Sequence, residues 1–197
     1  MDLGLQGKLV LVTGSTKGIG RCIAGEFLQN GATVIINGRK QADVERVVTS
    51  LNEENFLGTA VALAGDLSTA EGEQLAFDFV ESQNQPLDVL VNNVGIFEVK
   101  DFFENTDADW DRYFQINVMG AVRLSRRFLK GMLERQSGRI LMIASEAGIR
   151  TLPHMIPYSV SKTAMIGLAR GLSELTKGVP GVTVNSVLPG PTWTEVR

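Results

Sequence analysis

The chain has one cysteine, Cys22, and one histidine, His154, among its 197 residues. A single thiol cannot close an internal disulfide, so burial alone must hold the fold, and a reducing compartment fits. Cys22 falls in the first helical pattern and reads as a small core residue. No His/Cys cluster with metal-ligand spacing exists, so no metal is expected. Positive tracts are also missing. Lys and Arg number 19 against 22 Asp and Glu, a net charge of −3, which argues against a nucleic-acid surface. No apolar run approaches the ~20 residues needed to span a bilayer. The segment Met1–Lys8 has no signal-peptide core. A cytoplasmic protein that keeps away from membranes is the expectation.

What is present is alternation of strand and helix. Hydrophobic residues make up 44% of the chain, enough for one domain with a sizeable core. Strands are expected near 8–13, 33–37, 59–63, 87–92, 139–144 and 182–188, and helices near 18–30, 41–53, 70–83, 108–134 and 155–177. Gly31 and Gly178 are natural helix stops. No linker, repeat or low-complexity segment interrupts the pattern. The rhythm predicts a single α/β domain over 1–197, a doubly wound parallel sheet with helices on both faces. Strand 182–188 is read as apolar and as needing a neighbour or a covering chain.

Tyr158 and Lys162 stand four residues apart in a helical stretch, so both side chains leave one helix face. A phenol, with an ordinary pKa of about 10, exchanges protons poorly near neutrality. An ammonium beside it favours the phenolate. By itself such a pair is more often a solvated helix face. Three further segments add weight. Leu9–Val12 is a short apolar run that meets Thr13-Gly14-Ser15-Thr16-Lys17-Gly18-Ile19-Gly20 and then a helix. That is a strand, a phosphate loop and a helix N-terminus offering free N–H groups and a positive dipole. Leu87–Asn92 is a second buried strand, ending in Asn93-Val94-Gly95, and Ile140–Ala144 is a third, delivering Ser145 at its end. Ligands of open parallel sheets bind at the carboxyl ends of the strands.

Together these residues resemble the short-chain dehydrogenase/reductase family, over nearly the whole chain. Thr13-Gly14-x-x-x-Gly18-x-Gly20 looks like its cofactor loop, and Asn92-Asn93-Val94-Gly95 like its Asn-Asn-Ala-Gly motif with valine replacing alanine. Ser145 precedes Tyr158 by thirteen residues, the family's usual spacing. Asn117 in Phe114-Gln115-Ile116-Asn117-Val118 matches a fourth catalytic position, and Pro189-Gly190-Pro191-Thr192-Trp193-Thr194 resembles the stretch beside the nicotinamide.

The resemblance implies a Rossmann-like fold with catalytic residues Asn117, Ser145, Tyr158 and Lys162. The dinucleotide would lie along Gly14, Ser15, Thr16, Lys17, Gly18, Ile19, Gly20, Asn93, Gly95, Pro189 and Thr192, with the adenine at Asp66 and Leu67 and the ribose on Lys162 beside Tyr158. Tyr158 would be general acid in carbonyl reduction and base in reverse, Ser145 would hold the substrate oxygen, and Asn117 would hold a water linking Lys162 to solvent. Two of these readings have bland alternatives. The alternatives are that Asn117, inside a helix, simply bonds to backbone and that Asp66 caps the next helix, although Ser68 and Thr69 are equally good caps. The resemblance also implies a C-terminal lid and last strand that this chain lacks.

The second strand indicates which dinucleotide. NAD-preferring folds place an acid at its end, to hold the ribose 2′-hydroxyl. Here Ile35-Ile36-Asn37-Gly38-Arg39-Lys40 has none. Arg39 and Lys40, with Lys17, suit a 2′-phosphate, which an Arg fork binds with two hydrogen bonds. The alternative is that they merely solvate a loop. NADP(H) is the expected cofactor.

The substrate is less legible. Phe97, Ile149, Leu152, Met155, Ile156 and Trp193 suggest a small, apolar carbonyl compound or alcohol, and His154 reads as a rim or surface residue. Helices 108–134 and 155–177 are apolar well beyond one stripe. A second copy would cover them, as a homodimer or homotetramer, unless the same chain does. The expected function is an NADP(H)-dependent oxidoreductase. The alternative is a catalytically silent NADP-binding fragment or regulatory module.

Overall fold

Leu9–Val12 forms the first strand, β1, and all four side chains are completely buried. They alternate between two cores: Leu9 and Leu11 face one, Val10 and Val12 the other. A strand covered on both faces reads as an unbroken aliphatic run for that reason. The computed structural model describes residues 3–194. After β1 come α1 (Gly18–Gln29), β2 (Thr33–Gly38), α2 (Gln41–Glu53), β3 (Thr59–Ala64), α3 (Ala70–Ser82) and β4 (Val89–Asn92). Then follow α4 (Asp107–Tyr113), α5 (Gly120–Glu134), β5 (Gly138–Ile143), α6 (Ile156–Leu175) and β6 (Val182–Val187). The six strands form one sheet in the order β3-β2-β1-β4-β5-β6, every pair parallel. The order reverses between β1 and β4, the place where such sheets open a crevice for ligand.

Ala76 and Val80 of α3, Leu124, Phe128 and Met132 of α5, and Met165 and Ala169 of α6 cover one face of the sheet. Ala24 and Leu28 of α1, with Val44, Val47 and Leu51 of α2, cover the other. The expected three layers are therefore present. Cys22 is not a core residue, however; it is exposed. Gly20, Ala24 and Leu28 recur every four residues on the buried face of α1. A residue two positions from that row points to the opposite side, since each residue turns the helix by about 100°.

Two other expectations change, and one alternative is decided. The segment 108–134 is not one regular helix: Phe114–Met119, between α4 and α5, winds as a π-helix. Such insertions are rare, and they gather at functional sites. Strand β6 is not apolar throughout. Val182 and Val184 are buried, Asn185 and Val187 are exposed, and β6 pairs only with β5 among the described residues. The cap of α3 is Thr69, whose hydroxyl accepts from the Gly72 N–H at 3.0 Å. The Asp66 carboxylate accepts instead from the N–H and hydroxyl of Ser68, at 3.0 and 2.6 Å.

Candidate active site

At the end of β1 the chain turns through Gly14 and Gly18, whose φ angles of 62° and 57° lie in the left-handed region. Gly20 is required for space. A Cβ there would come within 2.5 Å of Asn93 Nδ2 and 2.6 Å of the Gly14 carbonyl oxygen. The loop is held from two sides. Thr13 Oγ1 accepts from the N–H groups of Asn93 and Val94 at 2.9 and 3.0 Å, and Asn93 Nδ2 donates to the carbonyls of Thr13 and Gly14. From β2, buried Asn37 accepts from the Gly14 N–H through Oδ1 at 3.1 Å, while its own N–H donates to Ser15 Oγ at 2.9 Å. Asn37 Nδ2 donates to the carbonyls of Leu63 and Gly65, both at 3.1 Å. Ser15 is thus completely buried, its hydroxyl donating to the Val12 carbonyl at 2.7 Å. It shapes the loop from inside.

Helix α1 starts from this loop at Gly18, and its N-cap, Lys17, makes no side-chain hydrogen bond to the first turn. N–H groups left without a capping side chain suit a phosphate ligand. Asp66 and Leu67, the positions read as adenine contacts, follow β3 at its carboxyl end, with Asp66 exposed and Leu67 buried.

The end of β2 has no room for an acid at Gly38: a Cβ there would meet Thr16 Cγ2 at 2.5 Å. Thr16 and Gly38, which meet there, are followed in the chain by Lys17 and Arg39. Lys17, Arg39 and Lys40 are all exposed. None has an ion-pair partner among the described residues.

Across the crevice, β4, β5 and α6 converge. Lys162 is 4% exposed, and its ammonium donates to the Ile143 carbonyl at 2.8 Å, with Met165 Sδ at 3.7 Å. No carboxylate pairs with it among the described residues, and burial pushes its pKa down to about 8. Nζ lies 5.7 Å from the centroid of the Tyr158 ring. Gly95 covers the same nitrogen: a Cβ there would be 3.3 Å from Lys162 Nζ and 3.5 Å from Asn117 Oδ1. Tyr158 is partly exposed and meets Phe97 edge-on, with centroids 6.1 Å apart. Ser145 is 8% exposed, and its Oγ accepts from the Ala147 N–H at 3.1 Å, which leaves the hydroxyl proton available.

Asn117 lies in the π-helical turn and is 1% exposed. Its Oδ1 accepts from the Ile96 N–H at 2.8 Å, and its Nδ2 donates to the Ile96 carbonyl and to Ser161 Oγ at 3.1 and 2.9 Å. The carboxamide does bond to backbone, but to the segment after β4 rather than to its own helix. It is a brace between that segment and α6.

Pro189 accepts from the Glu146 N–H at 3.0 Å, and exposed Thr192 donates to the Gly190 carbonyl at 2.9 Å. Phe97 and Ile149 are 68% and 74% exposed. Trp193 is 91% exposed and shares a groove with Gly18, Arg21, Cys22 and Phe56, beside the glycine loop. Sequence reading missed Asn37, the Thr13 hydroxyl and Ser161 as supports of the site. The one available signal for Asn37 was a polar residue in an otherwise apolar strand.

Comparison with known proteins places the fold in a family. A family model described as short chain dehydrogenase matches residues 8–197. An uncharacterized oxidoreductase of Bacillus subtilis, YvrD, is 57% identical over 197 residues, covering 99% of this chain and 72% of that protein. The crystal structure of L-sorbose reductase from Gluconobacter frateurii, complexed with NADPH and L-sorbose, superposes with a TM-score of 0.93. It is 32% identical, covering 99% of this chain and 73% of that one. A 3-oxoacyl-[acyl-carrier protein] reductase from Brucella melitensis with bound NAD gives a TM-score of 0.88 at 30% identity, covering 97% and 73%.

Proposed function

The chain belongs to the short-chain dehydrogenase/reductase family, and on that premise we propose that it is an NADP(H)-dependent oxidoreductase interconverting a small carbonyl compound and its alcohol. The observation that carries this reading is Lys162: a buried ammonium without a carboxylate, beside the Tyr158 ring and under Gly95. A cation held so needs a reason, because burying it costs several kcal/mol unless something repays it.

The glycine loop and the uncapped first turn of α1 fit a pyrophosphate. Lys17, Arg39 and Lys40 fit a 2′-phosphate, and glycine stands at position 38, crowded by Thr16, in place of the acid that a 2′-hydroxyl would prefer. The reductase structure with NADPH supports this choice; the one with NAD shows that the fold itself accepts either dinucleotide. Gly95 and Lys162 would face the nicotinamide ribose, and the segment Pro189–Thr192 would border its ring. When bound, the nicotinamide gives or takes the hydride.

The remaining work falls to the chain. Ser145 donates to the substrate oxygen and orients it. Tyr158 hands its phenolic proton to that oxygen as the carbonyl is reduced, and takes it back as the alcohol is oxidised. The Lys162 charge stabilises the negative charge that then develops on the phenol oxygen. Asn117 keeps Ile96 and Ser161 in place, and through them the wall and the helix on either side of Gly95. Self-association through α5 and α6 belongs to the same reading. Val160 and Leu175 of α6 are 37% and 61% exposed, and light scattering in solution checks it.

The deciding experiment follows NADPH absorbance with a panel of ketones, aldehydes and quinones. Consumption that depends on the carbonyl compound is the expected result. NADPH binding without turnover of any compound would leave a binding module instead.

A further inference from the structure

Glu146 follows Ser145 directly, and the fold uses its backbone but not its carboxylate. Its N–H donates to the Pro189 carbonyl at 3.0 Å, and its carbonyl accepts from the N–H groups of Ile149 and Arg150 at 3.0 and 2.8 Å. The residue is therefore pinned between the Ser145 turn and the segment that would border the nicotinamide. The side chain lies over Gly190. A Cβ on Gly190 would come within 3.2 Å of one carboxylate oxygen and 3.6 Å of the other. Glu146 is exposed, and neither oxygen has a hydrogen-bond or ion-pair partner among the described residues.

A carboxylate offers acceptors only, so whatever it recognises must bring donors. In the oxidoreductase reading, Ser145 and Tyr158 hold the reacting oxygen, and the next carbons of the substrate lie a bond or two away. The Glu146 carboxylate lies over Gly190, in the segment that would border the nicotinamide ring, and those carbons would lie against the same ring. An alkyl chain there would strip water from the carboxylate and return no hydrogen bond. Hydroxyl groups there would donate charge-assisted bonds, and a substrate carboxylate would be repelled. Phe97 meets the Tyr158 ring and offers an apolar wall, but neither it nor Ile149 can accept the hydrogen bonds that Glu146 can.

We propose that Glu146 reads substrate hydroxyls, and that the substrate is a neutral polyhydroxy ketone, or the polyol it is made from, rather than an alkyl ketone or acyl chain. This rests on the oxidoreductase reading. It is consistent with the similar structure that holds L-sorbose, a property of that protein alone.

The test uses the NADPH-loaded chain and two six-carbon probes, L-sorbose and 2-hexanone. Affinity is measured by calorimetry, and turnover by NADPH absorbance. Wild type should prefer L-sorbose. Glu146→Leu should cut the ratio of the two affinities by about 10- to 100-fold, the range for a hydrogen bond to a charged group. Glu146→Gln should keep part of the preference, because its amide oxygen still accepts. Taking the ratio cancels any loss of folded protein. A wild type without preference for L-sorbose overturns the proposal, as does a preference that survives Glu146→Leu. So does a variant that weakens NADPH instead, which would place the carboxylate on the cofactor. Failure of wild type to bind NADPH sinks the oxidoreductase reading and this one with it.

Discussion

The Lys162 ammonium and the Ile143 carbonyl are joined by a 2.8 Å hydrogen bond. The bond crosses from α6 to the last residue of β5, two residues before Ser145. It sets the helix that carries Tyr158 against the strand that delivers the serine. The ammonium has a carbonyl and a sulfur for neighbours rather than an anion, and several consequences can be measured.

The first is a pH-dependent stability. The pKa of Lys162 falls from 10.5 in the unfolded chain to about 8 in the fold. Below about pH 8 both states hold the proton, and the fold carries the full cost of the buried charge. Between about 8 and 10.5 only the unfolded chain holds it, so stability rises with pH through that window. Lys162→Met removes this dependence. Its stability relative to wild type, read from thermal melts, should be more favourable at pH 7 than at pH 10, by on the order of 3 kcal/mol. A difference between the two proteins that stays constant with pH would show that the charge is solvated.

Tyr158→Phe should abolish carbonyl-dependent NADPH consumption and leave NADPH affinity within a few-fold of wild type. The variant keeps the ring against Phe97 and deletes only the proton donor. General acid-base groups contribute roughly 10²- to 10⁴-fold in rate. Turnover near the wild-type rate would remove Tyr158 from the mechanism.

Arg39→Asp should shift the preference from NADPH towards NADH. The cation would be replaced by a carboxylate that repels a 2′-phosphate and accepts from a 2′-hydroxyl. Calorimetry with both dinucleotides reads the change. Wild type binding NADH more tightly than NADPH would reverse the assignment outright.

Gly20→Ala should cost both folding and cofactor. The added methyl carbon would stand 2.5 Å from Asn93 Nδ2 and 2.6 Å from the Gly14 carbonyl oxygen, and the latter is backbone with little freedom to move. Overpacking of this kind costs about 1–3 kcal/mol. Thermal melts and NADPH titration should both register it; a variant unchanged in both would mean that the loop is loose enough to yield.

The sequence by itself determined the layers, the sheet and the positions of the candidate groups. Leu9–Val12 is aliphatic on both faces, and Tyr158 and Lys162 share a helix face, because strand and helix repeats are written into consecutive residues. Turn glycines such as Gly14 and Gly18 announce their junctions for the same reason. What only the tertiary structure decided depends on residues far apart in the chain. The side of α1 that meets the sheet turned Cys22 outward. Packing between α5, α6 and the segment after β4 set Asn117 in a π-helical turn, bonded to Ile96 and Ser161. Asn37 is one polar residue in an apolar strand by sequence; only the fold brings Gly14, Leu63 and Gly65 around it. Glu146 is an ordinary loop carboxylate in the sequence; only the continuation of β6 lays Gly190 beneath it. Local periodicity reports which face of an element is buried; a hydrogen-bond partner or a missing one is settled only when separate elements meet.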